Sequence, residues 1–516
     1  MLFSSWQFIF AFLPVTLGGF LLLPANWRVV RKVWLVLASF FFYAYWKVDY
    51  IPLLVFSILF NYGVAEVLLR FRDRPAGPWI LASGIAGNLG LLGYFKYANF
   101  LVSILGQLSQ REFDRFDIIL PLAISFFTFT QIAYLVDVYR DHTRHYRFLD
   151  YALFVVFFPH LIAGPIVRHW EIIPQYADQE LRPKSKDVSL GGLLFLLGLF
   201  KKMLLADPVS KFAVAVYSAS DKGLDVCWSD AWLGTLAFAI QIYFDFSGYS
   251  DMAIGLARLF GIKFPANFDS PYRASSIIDF WRRWHMTLTR FFREYVYFSL
   301  GGNRCGVARQ NVNLMATMLL SGLWHGAGWN FVIWGGLHGF FLLVNHHWRR
   351  FLKWRGWKLQ HWSYRGACAL LTFLLVLITW VLFRASNLPS AGKMLASMAG
   401  WHGFAISSEF QGCGPAMKSL VARLGMQVVP GTTNLSSADY REGLLLCMLF
   451  LFTAWFLPNT QQLLSRYEPT IETVERAPAF LLRLNLWAGM SCGVLFFFVL
   501  RSYFTVAQSP FLYFNF

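Results

Sequence analysis

Charged residues are scarce in this 516-residue chain, since Asp, Glu, Lys and Arg together make up only 14% of it. A soluble domain usually carries about a quarter charged residues, which supply the polar shell around its core. Here hydrophobic residues make up 57% and aromatic residues 19%, and apolar runs of membrane-spanning length recur from end to end. The composition argues against a large soluble α-helical protein and indicates an integral membrane protein.

Cysteine patterns typical of cross-links or metal sites are also missing. The six cysteines are scattered, with no C-x-x-C pair and no Cys/His cluster at zinc-finger spacing. The sequence therefore predicts neither a disulfide framework nor a metal site. No Lys or Arg precedes the first apolar run, and no small-residue cleavage site follows it. Residues 6–23 are accordingly interpreted as a retained first helix and not as a signal peptide.

The net charge of +17 reflects short basic clusters between apolar runs, not a continuous basic stripe. That distribution is typical of cytoplasmic loops under the positive-inside rule, so the expected partner is a lipid bilayer and no nucleic acid. Segments with little positive charge are expected outside, and the tail after Ser502 is then expected to end outside as well. The predicted external segments are 106–117, 219–230 and 385–440.

Twelve apolar runs are candidates for membrane helices, and several are shorter than the roughly 20 residues that a straight span needs. We expect an all-α polytopic membrane protein of about 11–13 transmembrane or re-entrant helices around a central cavity. One domain should cover 1–516, with N-terminal helices in 1–230, a core block in 231–347 and C-terminal helices in 348–516. The candidate runs are 6–23, 33–46, 50–69, 79–105, 118–138, 148–166, 189–205, 231–247, 328–346, 366–384, 442–457 and 485–504.

The first candidate site is the motif SGLWHGAGWN at 321–330, which places His325 among glycines in an apolar stretch. An ionisable residue at membrane depth is a functional candidate because its burial is costly. Histidine can also act as a general base near neutral pH. Trp324 and Asn330 flank it as candidate substrate contacts. The alternative is a histidine that only bonds to a neighbouring helix.

The second candidate is a pair of carboxylates, Asp245 and Asp251, in the motif YFDFSGYSDMAIGLA at 243–257. Their position indicates the end of an apolar helix, where they could coordinate a cation or orient a catalytic base. They could equally cap the next helix, because Ser250 and Asp251 are favourable N-cap residues. The sequence leaves these alternatives open.

The third candidate is a basic amphipathic helix predicted over 279–297, with aromatic residues on one face and His285 at the edge of that face. Such a helix is typical of a membrane surface. Its arginines suit phosphate groups, either those of coenzyme A or those of anionic lipid headgroups. His285 is a second active-site group or a plain interfacial histidine. The arginines predicted to share the opposite face are Arg282, Arg283, Arg290 and Arg293.

These three blocks, in this order, resemble the membrane-bound O-acyltransferase family, and within it the branch of the bacterial alginate O-acetylation membrane proteins. The resemblance covers nearly the whole chain and implies that family's helical bundle. The further motifs that carry it are FSSWQFIFAFLP at 3–14, NY at 61–62, GYFKY at 93–97, PLAISFFTF at 121–129, AGPI at 163–166 and GGNR at 301–304.

The resemblance implies acetyl transfer with acetyl-coenzyme A as donor substrate and with no permanently bound cofactor. His325 matches the histidine regarded as essential in the family, and His285 matches a second histidine of this branch. A hydroxyl needs a base to attack a thioester, and a water-poor site protects that thioester from hydrolysis. Arg282 and Arg283 are then expected to contact the phosphates of the donor.

The resemblance further implies a bacterial inner-membrane protein that serves O-acetylation of an exported polysaccharide, and alginate, cellulose, another glycan and peptidoglycan are all open as the acceptor. A periplasmic SGNH-type acetyltransferase and other polysaccharide acetylation and export proteins are the expected partners. Two alternatives remain: a transporter or flippase for a lipid-linked glycan, and an acyltransferase that acts on lipid or protein.

The aromatic tail FLYFNF at 511–516 fits an F-x-Y-x-x-F pattern. It resembles the C-terminal motif of the small partner protein in the D-alanylation of teichoic acids, whose tyrosine is thought to carry the acyl group. Tyr513 is therefore a candidate acyl carrier. The alternative is an aromatic belt at the membrane interface.

Overall fold

The chain is helical almost throughout, and one pair of two-residue strands, Ile406–Ser407 and Val428–Val429, runs in parallel. The expected all-α membrane fold is confirmed. The computed structural model describes residues 1–140, 145–177, 181–359, 361–401, 403–472, 482, 484–506 and 509–512.

In the described residues of the N-terminal part, the chain forms eleven α-helices, most of them apolar. They are α1 (Leu13–Leu22), α2 (Arg28–Ala44), α3 (Ile51–Phe71), α4 (Gly77–Leu92), α5 (Ala98–Ser109), α6 (Ile124–Tyr139), α7 (Phe148–Val156), α8 (Phe158–Leu161), α9 (His169–Ala177), α10 (Ser185–Phe200) and α11 (Asp207–Asp221).

The rest of the chain adds the longest helix and the helices around the candidate site. These elements are α12 (Trp228–Leu259), α13 (Ile277–Arg283), α14 (Met286–Phe291), α15 (Gly306–His325), α16 (Trp329–Arg355), α17 (Trp362–Arg384), α18 (Leu388–Met398), β1 (Ile406–Ser407), α19 (Ser408–Gln411), α20 (Pro415–Leu424), β2 (Val428–Val429), α21 (Ser437–Phe456), α22 (Thr460–Leu463) and α23 (Leu486–Thr505).

Four π-helical turns interrupt or extend the regular helices in the part of the chain that the structure describes. One joins α4 to α5 and another joins α10 to α11, so that each pair forms one long helix. Turns of this kind bulge the backbone and often occur at functional sites. Their bounds are Phe8–Phe12, Gly93–Tyr97, Lys201–Ala206 and Phe292–Tyr297.

Five helices in the described part of the chain are long and apolar enough to cross a membrane. Each coincides with a predicted run, namely 50–69, 79–105, 189–205, 366–384 and 485–504. The helices are Val48–Phe71, Gly77–Ser109, Ser185–Asp221, Trp362–Arg384 and Leu486–Thr505. The total number of spans stays a prediction.

Some predicted elements differ from the structure. The run 148–166 does not form one helix, because the backbone leaves the helical conformation at Phe157, with ψ of 110°, between α7 and α8. Pro159 explains the break, since proline lacks an N–H and clashes with the preceding helical turn. The predicted loop 385–440 contains α18, α19, α20 and the strand pair.

Helix α15 was missed because its polar residues lower its hydropathy. Two of these are bonded inside the protein, Asn313 to the Gly302 carbonyl and Thr317 to the Asn313 carbonyl.

Helix α12 forms the centre of the bundle. All of its 32 residues are buried except Trp228, Trp232 and Leu236. Facing glycines let α12 cross α10 closely, and a Cβ added to Gly198 would lie 2.5 Å from the carbonyl oxygen of Gly248. Small residues at a crossing allow such backbone contact between membrane helices.

Helices α15 and α16 form a second close crossing. A Cβ on Gly322 would lie 2.2 Å from the Phe331 carbonyl oxygen, and a Cβ on Gly335 would lie 2.3 Å from the Met318 carbonyl oxygen. No side chain fits between these backbones. The crossing therefore fixes the position of His325 at the end of α15.

We expect Gly335→Ala to destabilise the protein by about 1–3 kcal/mol, the usual cost of inserting a methyl group into a packed interface. Gly336→Ala is the matched control, because its Cβ would meet only the flexible Leu319 side chain at 3.5 Å. Thermal unfolding of the purified protein in detergent measures both. Equal melting temperatures for the two variants would contradict the close crossing.

Candidate active site

His325 is the last residue of α15 and is buried, with 2% of its surface exposed. Aromatic rings enclose it: the centroids of Trp324 and Trp334 lie 4.9 Å from its ring, and that of Phe383 lies 5.3 Å away. The glycine-rich segment between α15 and α16 permits this enclosure because it adds no side-chain bulk. His325 thus lies in an apolar, water-poor environment.

The carbonyl groups at the end of α15 are bonded by the π turn between α4 and α5. The Tyr97 hydroxyl donates to the Leu323 carbonyl at 2.7 Å, and the Lys96 ammonium donates to the Trp324 carbonyl. The last carbonyls of a helix lack partners within it and carry a partial negative charge. Lys96 supplies both a hydrogen-bond donor for the Trp324 carbonyl and a positive charge at the helix end. It also lies 3.4 Å from Ser125.

His285 lies at a break between α13 and α14, so the predicted single amphipathic helix over 279–297 was wrong. Trp284 is extended, and His285 takes a left-handed conformation with φ of 43°. The helix breaks because residue 267 binds the freed backbone: the Met286 N–H donates to the Asn267 carbonyl at 2.9 Å. His285 is therefore fully buried and is not interfacial.

Asn267 determines which nitrogen of His285 carries the proton. The Asn267 side-chain oxygen accepts from the Thr287 N–H at 3.4 Å and from the Thr287 hydroxyl at 2.9 Å. The same oxygen lies 3.1 Å from His285 Nδ1. Since a carbonyl oxygen only accepts, Nδ1 of His285 must donate, and Nε2 is then the basic nitrogen. The Asn267 amide donates to Ser250 and is held in this orientation.

Trp324 contacts both histidines. Its ring centroid lies 6.1 Å from that of His285 and 4.9 Å from that of His325. The structure thus brings these three candidates together, although they come from two separate sequence blocks.

A third buried histidine, His338, lies on the next helix. Its ring centroid is 4.7 Å from that of Trp334 and 5.1 Å from that of Trp281. Neither ring nitrogen has a hydrogen-bond partner among the residues that the structure describes. Sequence reasoning did not select it, although it follows His325 within the same glycine-rich block.

Asp245 and Asp251 lie inside α12, so the interpretation as helix-end or capping residues was wrong. Asp245 pairs with Lys202 at 2.8 Å, and Asp251 pairs with Lys201 at 2.6 Å. Sequence reasoning missed both lysines. Their signal was available, because two cations within the apolar run 189–205 require buried partners.

The predicted arginine face is divided among separate ion pairs, so the arginines do not form one phosphate-binding surface. Among the four arginines, Arg282 alone has no ion pair with the described residues, and its side chain is exposed. The pairs are Arg283 with Asp279 at 2.9 Å, Arg290 with Glu171 at 2.8 Å and Arg293 with Glu294 at 3.3 Å.

Arg282 lines a cavity of about 340 Å³ between α13, α14, α15 and α16. Trp281 and Ser321 also line it, so the cavity extends from a cation to the face of α15 that ends at His325. Asn330 lies elsewhere, since its side-chain amide donates to the Ala385 carbonyl at 2.8 Å and joins α16 to the end of α17.

A second cavity, of about 460 Å³, lies beside α6 and the N-terminus. Ser125 and Phe126 are among its lining residues. Phe126 packs against Trp324 at 5.4 Å between ring centroids, and Ser125 is bonded to Lys96. Two separate cavities therefore reach the residues around the end of α15.

The described part of the tail enters the core. Phe511 is buried and stacks on Tyr249 at 4.4 Å, and the Leu512 N–H donates to Asp245 at 3.0 Å. Phe511 is therefore not part of an interfacial belt. Tyr513 lies outside the described residues, and its role as a carrier stays a prediction.

The sequence matches the model of the membrane-bound O-acyltransferase family over residues 138–386. A peptidoglycan O-acetyltransferase of Helicobacter pylori is 39% identical over an alignment that covers 100% of this chain and 98% of that protein. The chain belongs to the membrane-bound O-acyltransferase family. The resemblance seen in the sequence motifs is thereby confirmed, and the protein is an acyltransferase embedded in a membrane.

Other family members resemble different lengths of the chain. A probable alginate O-acetylase of Azotobacter vinelandii is 42% identical over 77% of this chain and 78% of its own length. A teichoic acid D-alanyltransferase of Streptococcus thermophilus is 28% identical over 44% of this chain and 57% of its own length. The individual roles of His325, His285 and the other site residues stay predictions.

We expect Asn267→Leu to lower kcat at least about tenfold with little change in KM, because it frees His285 to adopt the wrong tautomer. Asn267→Asp is the control, since it keeps the oxygen that accepts from Thr287 and His285. Steady-state acetyl transfer by the purified protein measures both variants. A normal kcat for Asn267→Leu would rule out this role of Asn267.

Proposed function

We propose that this protein is an acetyltransferase of the bacterial inner membrane that takes acetyl groups from acetyl-coenzyme A for O-acetylation of an exported polysaccharide. The observation that carries the proposal is the enclosure of His325 by aromatic rings, with Trp324 shared between it and His285. Support for the acetyl group and for a glycan acceptor comes from the named relatives, whose acceptors are peptidoglycan and alginate.

The proposed chemistry is base-assisted acyl transfer. A hydroxyl oxygen attacks the thioester carbonyl, His325 takes the hydroxyl proton, and the C–S bond breaks as the thiolate leaves with that proton. The aromatic rings around His325 exclude water, which would otherwise hydrolyse the thioester. His285, with its proton held on Nδ1, offers a second basic nitrogen at Nε2.

The donor is proposed to bind in the cavity that Arg282 lines. Arg282 is a cation with no carboxylate partner among the described residues, and a guanidinium suits a phosphate. Ser321, one turn before His325 on the same helix, lines the same cavity. A phosphate at Arg282 would therefore leave the pantetheine arm directed toward α15.

The acceptor side is proposed to involve Tyr513 as a transient carrier. A phenyl ester is more reactive than an alkyl ester, so an acetylated tyrosine can pass its acetyl group on to another hydroxyl. The recipient would be a serine of a periplasmic SGNH-type partner, which then acetylates the glycan. The loop charges, which predict an external C-terminus, the burial of Phe511 and the bond from the Leu512 N–H to Asp245 support this assignment.

His325→Ala is expected to abolish acetyl transfer while the protein is still expressed and inserted. The measurement is the transfer of radiolabel from acetyl-coenzyme A to the purified protein, together with the acetyl content of the glycan in cells. His347→Ala is the control, because that exposed histidine only bonds Asn311 at 3.2 Å. Wild-type acetylation by a well-expressed His325→Ala protein would refute the role of His325 as the base.

Tyr513→Phe is expected to stop acetylation of the glycan because it removes only the hydroxyl that would carry the acetyl group. Tyr503→Phe is a suitable comparison, since it removes a hydroxyl from a tyrosine of α23 whose ring packs on Trp6 at 4.8 Å. Glycan acetyl content and mass spectrometry of a trapped acetyl-tyrosine test the step. Normal acetylation by Tyr513→Phe, or a cytoplasmic C-terminus in a topology reporter assay, would contradict it.

A further inference from the structure

One buried lysine forms ion pairs with two buried carboxylates near the centre of the bundle. The Lys202 ammonium lies 2.8 Å from Asp207 and 2.8 Å from Asp245. All three residues are at most 4% exposed. With both carboxylates ionised, the group carries a surplus negative charge in an apolar surrounding, so it requires further hydrogen-bond donors.

Residues 509–512 of the C-terminal tail supply those donors. The Ser509 hydroxyl donates to Asp207 at 2.6 Å, and the Leu512 N–H donates to Asp245 at 3.0 Å. In return, Lys202 donates to the Ser509 carbonyl at 2.9 Å. Hydrogen bonds to ionised groups are about twice as strong as neutral ones. The tail therefore completes a charge cluster that is unbalanced without it.

Phe511 also holds the segment 509–512 in place through aromatic stacking. Phe511 stacks on Tyr249 at 4.4 Å and 23°, while Phe3 from the N-terminus stacks on Tyr249 at 4.7 Å and 20°. Phe511 also contacts Phe246, whose ring centroid lies 4.8 Å from that of His285.

We infer that Lys202, Asp207 and Asp245 form a socket whose ligand is the protein's own C-terminal tail, held in a fixed register beside His285. The three socket residues are positioning residues: they act on acetyl transfer only through the tail. The docking itself follows from the contacts of residues 509–512. Its catalytic meaning rests on the proposed function, because the docked segment immediately precedes Tyr513.

A neighbouring ion pair provides a matched comparison. Lys201 pairs with Asp251 at 2.6 Å, and Asp251 also accepts from Gln461 at 3.2 Å. This pair joins the same two elements, α12 and the π turn, but neither member bonds to residues 509–512. Removing Lys201 breaks a charge pair at the same helix crossing without removing any bond to residues 509–512, so it should leave the tail in place.

The test is the accessibility of a cysteine at position 512 in the full-length protein, with the six native cysteines replaced by serine. Leu512→Cys should react slowly with N-ethylmaleimide. Adding Lys202→Met should speed the reaction at least about tenfold, the effect expected when charge-assisted hydrogen bonds are lost. Adding Lys201→Met should leave the rate unchanged. Equal rates for Lys202→Met and its parent would overturn the socket.

A second pair of variants avoids any question of folding, because it changes only the tail. The variants are Ser509→Thr and Ser509→Val. Threonine and valine side chains have the same shape, and only threonine keeps the hydroxyl that bonds Asp207. Ser509→Val should label faster and acetylate less glycan, while Ser509→Thr should behave as the parent in both assays. Identical labelling of the two variants would refute the inference.

Different measurements test the carrier role of Tyr513 and the binding of the tail by the socket. Tyr513→Phe is expected to abolish acetylation with no change in the labelling of position 512. If Tyr513→Phe stays active, the carrier role is wrong, and the labelling rates still decide whether the socket binds the tail.

Discussion

The pairing of charges between α12 and the π turn at the end of α10 is the interaction on which the centre of the structure depends. Unpaired charges in an apolar bundle are costly, so the lysines of the turn and the aspartates of α12 must meet. The glycine crossing of α10 and α12 brings the two backbones close enough for this. The π bulge adds the residue that directs two consecutive lysines, Lys201 and Lys202, at two different carboxylates.

The candidate site is assembled around that centre from segments far apart in sequence. Asn267 holds His285 from a loop that follows α12, and Lys96 holds the end of α15 from a π turn near the N-terminus. Trp324 completes the arrangement by contacting both histidines. The bonds from Asn267 and Lys96 satisfy polar groups that would be costly to bury alone. The same requirement thus accounts for stability and for the alignment of the histidines.

Sequence patterns predicted the long apolar helices well, because a membrane span needs a continuous apolar run of defined length. They predicted broken segments poorly. Helix α15 contains Asn313 and Thr317, whose polar groups are bonded within the protein, so its hydropathy hides a helix that carries His325. The break at His285 depends on Asn267, which no local pattern connects with it.

The sequence by itself determined that the protein is a helical membrane protein, and it singled out His325, His285 and the 243–257 block as candidates, since composition, apolar runs and ordered motifs are local properties. Only the tertiary structure decided that Asp245 and Asp251 pair with Lys202 and Lys201, and that residues 509–512 dock onto that cluster. The physical reason is that two buried charges can pair only where helix crossings bring their side chains within contact distance. Their distance along the chain, from Lys202 to Ser509, leaves no periodic signal in the sequence.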